Sequence, residues 1–105
     1  IYGTLHSPSS FGASQNSGTV SVAGVTDEFH VYGMEWTEDR ITFTVDGEPY
    51  YSYAPDEKNA DTWPFDKPFF LIMNVAMGGT FGGDVDGNFT SGSMEVDYIR
   101  VYQAN

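Results

Sequence analysis

Residues 41–47 constrain this chain more than any other stretch. Ile41-Thr42-Phe43-Thr44-Val45 alternates apolar and polar residues, and Asp46-Gly47 follows at once. A period of two puts Ile41, Phe43 and Val45 on one face of a strand. Asp-Gly signals a two-residue hairpin, because a type I′ turn needs positive φ at both central positions. The next strand then runs from Glu48 to Tyr53.

The rest of the chain keeps this short-strand character. Ile1 to His6 reads as a strand, residues 7–18 as a Ser/Gly loop with Pro8, and Thr19 to Val25 as a short strand. Thr26-Asp27-Glu28 is a turn, and Phe29 to Trp36 is a strand by content. Ala54 to Lys67 is a long loop containing Pro55, Trp63 and Pro64. Phe69-Phe70-Leu71-Ile72-Met73-Asn74-Val75-Ala76 is apolar almost throughout, the pattern of a strand buried on both faces. A flexible loop with Gly78-Gly79 and Gly82-Gly83 leads to a last strand, Met94 to Gln103. Helical periodicity persists nowhere. Short strands with turns every ten or so residues predict an all-β, antiparallel sandwich.

Composition narrows the function classes. Fifteen acidic against four basic residues give a formal charge of −11. Such a chain repels the phosphates of nucleic acid and anionic membranes, and it disfavours sulfated polysaccharides. A neutral glycan meets no such barrier. Two Trp, seven Tyr and eight Phe suit strands, and they also suit sugars, whose apolar C–H faces stack on π-faces. Cysteine is absent, which leaves the redox compartment open. The chain opens on Ile1-Tyr2-Gly3, as though inside a strand, and reads as a piece of something longer.

Three blocks carry a family resemblance. Phe29-His30-Val31-Tyr32-Gly33-Met34-Glu35-Trp36, with its following Ile41 to Gly47 hairpin, is the first. The second is Phe70 to Gly79, and the third is Met94-Glu95-Val96-Asp97-Tyr98-Ile99-Arg100-Val101-Tyr102-Gln103. In order and spacing they resemble the F-H-x-Y-x-x-x-W, L-I-L-N-L-A-V-G-G and V-D-Y-V-R-V-Y-Q strands of laminarinase-type endo-β-1,3-glucanases of glycoside hydrolase family 16. Ile1 to Pro8 adds a Y-G-T-L-H-x-P match. The resemblance implies a concanavalin-like jelly roll of which this chain is the C-terminal portion. It also implies a secreted enzyme acting on β-1,3-glucan or mixed-linkage β-glucan.

A retaining glycosidase needs two carboxyl groups roughly 5–5.5 Å apart, and the family carries them on an E-x-D-x-x-E run. The nearest match here, Glu95-Val96-Asp97-Tyr98-Ile99-Arg100, ends in Arg, which cannot donate the proton. It fits the closing strand better. In the family the catalytic run lies just upstream of the strand matching Ile1 to His6. The expectation is therefore that no catalytic residue lies in this chain. The N-terminal part of the same domain would be its partner, and the chain alone would be inactive, with unpaired strand edges and half a core.

Four residues remain as site candidates. Asn74 is an amide inside an apolar run, where an unpartnered polar group costs about 1–3 kcal/mol. The resemblance implies that it reaches into the cleft, while an amide satisfied by neighbouring backbone is the plainer alternative. The position two residues on is Ala76, not Trp, which leans toward the laminarinase branch. His6 could line the acceptor side or simply sit at a strand end. Trp63, in a Pro-flanked loop, is the candidate for an exposed sugar-stacking surface, whereas Trp36 suits a core and His30 a structural, hydrogen-bonded role. The resemblance also implies one structural Ca²⁺ with Asp97 as a ligand and its other oxygens from outside this chain. Asp84-Val85-Asp86-Gly87-Asn88 has Phe89 where a calcium loop needs Gly, and it reads as a turn. A non-catalytic β-glucan-binding module is the alternative function.

Overall fold

The computed structural model describes residues 1–12 and 15–104. Two compact units are present, Ile1–Pro68 and Phe69–Asn105. The first holds five strands: β1 Tyr2–Leu5, β2 Asn16–Thr19, β3 Tyr32–Trp36, β4 Ile41–Val45 and β5 Glu48–Tyr53. They make an antiparallel β1–β2 pair and an antiparallel β3–β4–β5 meander. No described helix is long and apolar enough to cross a membrane.

β4, the turn and β5 follow the alternation. Asp46 at φ 53° and Gly47 at φ 83° both occupy the left-handed region, as a type I′ turn requires. The polar face is tied across the sheet, with the Thr42 and Ser52 hydroxyls 2.8 Å apart. At β5 a bulge shifts the register: Phe43 faces Tyr51 while Thr44 faces Pro49, leaving Tyr50 as the extra residue. Tyr50 and Tyr51 therefore both reach the same partner, and both rings stack on Phe43 with centroids 6.3 Å apart.

The β1–β2 pair lies on this aromatic layer because two glycines oppose each other at the contact. Gly3 pairs with Gly18. A Cβ on Gly3 would stand 2.7 Å from the Phe43 ring, and one on Gly18 would stand 2.6 Å from Tyr51. Neither position admits a side chain without moving an aromatic ring. Next to this seat Leu5, Ile41 and Trp63 are buried together, with Phe43, Tyr51, Tyr53 and Phe65 packed around them.

β3 shares the inner face but not its cover. Tyr32, Met34 and Trp36 pair with Val45, Phe43 and Ile41, and paired residues project to the same side. The β1–β2 glycines seat on β4 and β5 side chains, and the three β3 side chains stay 43–55% exposed. Trp36 is thus not the core residue its sequence suggests.

Three segments depart from the sequence reading. The partner of β1 is Asn16–Thr19, not Thr19 to Val25, which continues into a turn closed by Asp27 and Glu28 N–H groups on the Gly24 carbonyl. The weak alternation after Thr19 could not set a register, whereas the Thr4–Ser17 hydroxyl pair at 2.9 Å does. Residues 13 and 14 of the expected loop lie outside the described residues. β3 starts at Tyr32, three residues later than Phe29, because His30 and Val31 are engaged by the Asp46 side chain.

The third departure is the second unit. Neither residues 69–76 nor residues 94–103 carry a strand ladder among the described residues. The regular element there is one helical turn, Gly79–Gly82, closed by Gly83 N–H on the Gly79 carbonyl. A strand exists only through its neighbours' hydrogen bonds. A run apolar on both faces is the sequence of a central strand, which needs a neighbour on each edge. The apolar side chains here are exposed, Phe70 by 83% and Val101 by 81%.

Candidate functional site

Trp63 is positioned by a tightly bonded loop. Its N–H donates to the Asn59 carbonyl at 2.7 Å, and the Tyr53 hydroxyl donates to the Thr62 carbonyl at 2.8 Å. The Asn59 side-chain oxygen accepts the Asp61 and Thr62 N–H groups, and the Thr62 hydroxyl donates to the Glu57 carbonyl. The loop is joined to residues 7–10 by Ser9 N–H on the Asp61 carbonyl. The indole is stacked on Tyr53 at 6.0 Å, meets Phe65 edge-on at 5.4 Å, and carries the Lys58 ammonium 5.7 Å from its centre. It is 6% exposed. This corrects the expectation of an exposed stacking surface: Trp63 touches a shallow hollow of about 230 Å³ beside Lys58, Pro64 and Lys67, but offers a sugar no open face. The reason is the neighbouring Tyr53, Phe65 and Leu5, whose apolar surface a Pro-flanked Trp covers more favourably than water does.

The remaining candidates are exposed. His6 follows β1 directly. Asn74 and Asp97 belong to the second unit, each outside any ladder. Glu95, two residues before Asp97, is exposed as well. Nearby, the Arg100 guanidinium lies over the Tyr98 ring at 4.3 Å. Among the described residues no three His, Cys, Asp or Glu side chains come together as a metal site. The Asp84–Asn88 segment turns as its sequence suggests, with Asp86 Oδ1 accepting Asn88 N–H at 2.9 Å and Phe89 N–H donating to the Asp86 carbonyl.

The most organised polar group lies elsewhere. Asp46 Oδ2 is 2.8 Å from His30 Nδ1, Asp46 Oδ1 accepts Val31 N–H at 2.9 Å, and Asp46 N–H donates to the Val31 carbonyl at 2.8 Å. In a continuing antiparallel ladder Val31 N–H would bond a backbone carbonyl. The left-handed conformation at Asp46 turns that carbonyl aside, and the side-chain carboxylate takes its place. The His30 hydrogen bond, then Val31 N–H, holds the Asp46 carboxyl below its ordinary 3.8. Sequence reasoning assigned His30 a hydrogen-bonded role without its partner. The signal was present: an acid at the first position of an Asp-Gly turn, facing a His just before the neighbouring strand.

Comparison with known proteins decides what this arrangement belongs to. The family model for glycosyl hydrolases family 16 matches residues 3–100. The chain belongs to glycosyl hydrolase family 16. A beta-glucanase of Rhodothermus marinus is 39% identical over 113 residues, covering 98% of this chain and 39% of that protein. Glucan endo-1,3-beta-glucosidase A1 of Niallia circulans is 36% identical over 118 residues, covering 98% of this chain and 17% of that one. The crystal structure of a laminarinase from Flavobacterium sp. UMI-01 superposes with a TM-score of 0.78 at 37% identity, over 81% of this chain and 37% of that one. The chain thus spans well under half the length of the family 16 proteins it matches. Its all-β, antiparallel architecture is that of the family's jelly roll.

Proposed function

We propose that residues 1–105 are the C-terminal part of the catalytic domain of a secreted, retaining endo-β-1,3-glucanase. The substrate is β-1,3-glucan or a mixed-linkage β-glucan. The observation that carries this reading is the family 16 match over residues 3–100, made with relatives named for β-glucan hydrolysis. A charge of −11 fits an uncharged polysaccharide better than a sulfated one.

Two features support a domain completed from outside this chain. The inner face of β3 leaves Tyr32 and Met34 half-exposed, and residues 69–76 have the sequence of a central strand without a ladder. Both are what a sandwich leaves when part of each sheet is elsewhere. The N-terminal part would supply the nucleophile and the acid/base roughly 5–5.5 Å apart, and water would complete hydrolysis of the glycosyl-enzyme intermediate. In this reading Asn74 donates a hydrogen bond to a sugar hydroxyl or to the nucleophile, and His6 lines the cleft. Asp97 contributes one oxygen to a structural Ca²⁺ whose other ligands come from the N-terminal part.

The test is reducing-sugar release from laminarin by the intact protein and by residues 1–105 alone. The intact protein should hydrolyse, the short chain should not, and Asn74→Ala in the intact protein should cost roughly 1–3 kcal/mol of transition-state stabilisation with little change in melting temperature. Hydrolysis by the short chain, abolished by Glu95→Gln or Asp97→Asn, would overturn the assignment of catalysis to the missing part. Laminarin binding without hydrolysis by the intact protein would put a glucan-binding module in its place.

A further inference from the structure

The tripeptide Val-Asp-Gly occurs twice in this chain, at Val45-Asp46-Gly47 and at Val85-Asp86-Gly87. Asp-Gly is the setting in which an aspartyl side chain most readily reacts with its own backbone, because glycine puts no Cβ beside the amide nitrogen that attacks. Both acids are exposed, and a Cβ on either glycine would meet nothing within 4 Å. Accessibility therefore does not separate the two sites. The partners of the two carboxyl groups do.

Asp46 is held by a neighbouring segment. Its Oδ2 is 2.8 Å from His30 Nδ1, and its Oδ1 accepts Val31 N–H at 2.9 Å, so both oxygens are anchored. Asp86 is held by its own turn. Its Oδ1 accepts Asn88 N–H at 2.9 Å and Asn88 Nδ2–H at 3.2 Å. A side chain bonded to the N–H two residues on closes a ring that takes in the peptide between them. The Asp86 carboxyl is thereby folded back along the Gly87 nitrogen, and Phe89 N–H on the Asp86 carbonyl at 2.9 Å keeps the turn in that shape.

We propose that Asp86-Gly87 is a site of spontaneous backbone modification, where aspartate converts to isoaspartate in the folded protein, and that His30 and Val31 protect Asp46-Gly47 from the same reaction. The Gly87 nitrogen attacks Asp86 Cγ. A C–N bond forms, and the carboxyl hydroxyl leaves as water with the nitrogen's proton. Water then opens the cyclic imide. If it breaks the bond between the Gly87 nitrogen and the former backbone carbonyl, the chain runs on through the old side chain, one methylene longer, and the former carbonyl becomes a carboxylate. Asp86 then no longer offers Phe89 N–H a backbone carbonyl. The dehydration needs the neutral carboxyl, and the His30 hydrogen bond, then Val31 N–H, keeps Asp46 ionised by holding it below its ordinary 3.8.

The experiment incubates the intact protein warm at mildly acidic pH. Isoaspartate is then labelled with an isoaspartyl methyltransferase and located by peptide mapping. Label in the peptide carrying Asp86-Gly87 should exceed label in the one carrying Asp46-Gly47 severalfold. Asp86→Glu, whose extra methylene disfavours ring closure, should remove it. In denaturant the hydrogen bonds of both sites are gone, and the two peptides should label to comparable extents. No label at Asp86, equal label at the two sites in the folded protein, or a preference for Asp86 that survives denaturant would overturn the proposal.

Discussion

The second unit of this chain is the more apolar in sequence, yet among the described residues the strand ladders belong to the first. In Ile1–Pro68 each strand pairs with a near neighbour in the chain, and the meander β3–β4–β5 spans 22 residues, Tyr32–Tyr53. In Phe69–Asn105 two segments of stronger β-character carry no ladder. Apolar content alone does not make a ladder. The hairpin strands alternate and need one covered face, which local turns can bring together at small loop-closure cost. Residues 69–76 are apolar on both faces and need neighbours that no local turn supplies.

The largest effect should come from the first unit's anchor. Trp63→Ala removes the indole packed on Tyr53 and Phe65 and should cost about 3–5 kcal/mol. Phe70→Ala in residues 1–105 alone should stay within about 0.5 kcal/mol, as for any exposed side chain. Thermal or denaturant unfolding of both variants gives the comparison directly. If Phe70→Ala proves as costly as Trp63→Ala in the short chain, the second unit has a core of its own and the contrast fails.

Next in size is the glycine seat. Gly18→Ala puts a methyl where Tyr51 already stands, and should cost about 1–3 kcal/mol through overpacking. Gly82→Ala, a position with nothing within 4 Å of the added carbon, should cost far less. Equal effects at the two positions would mean that the β1–β2 pair does not rest on the aromatic layer.

The hairpin was legible in full: Ile41–Val45, the Asp46-Gly47 turn and Glu48–Tyr53 stand where alternation and turn chemistry put them. The seat was not, because Gly3 and Gly18 become partners only once a register is set, and no local signal sets it. Trp63 misled for a related reason. A Pro-flanked loop usually lies on the surface, but here Asn59 and Thr62 cap the loop from within and turn the indole inward. Residues 69–76 and 94–103 were read as strands and carry no ladder among the described residues, since sequence shows what a segment would bury and not what it pairs with.

The smallest effect is one of pH. The Asp46 contribution to stability is present above about its ordinary 3.8 and lost as pH falls through its lowered value. The His30 contribution is present below 6.5 and lost as pH rises through its raised value. The melting-temperature gap between the natural protein and Asp46→Asn should therefore be widest between 3.8 and 6.5 and narrow on both sides. A gap constant from acid to alkaline pH would remove the ionic part of that contact.

The contrast between the units rests on one claim, that residues 69–76 and 94–103 are strands waiting for neighbours. Amide hydrogen exchange on these residues, in the 105-residue chain alone and in the intact protein, tests it most directly. The expected result is fast exchange in the short chain and slow exchange in the intact protein, with β4 amides protected in both. Slow exchange of residues 69–76 in the short chain, or fast exchange in the intact protein, would contradict it.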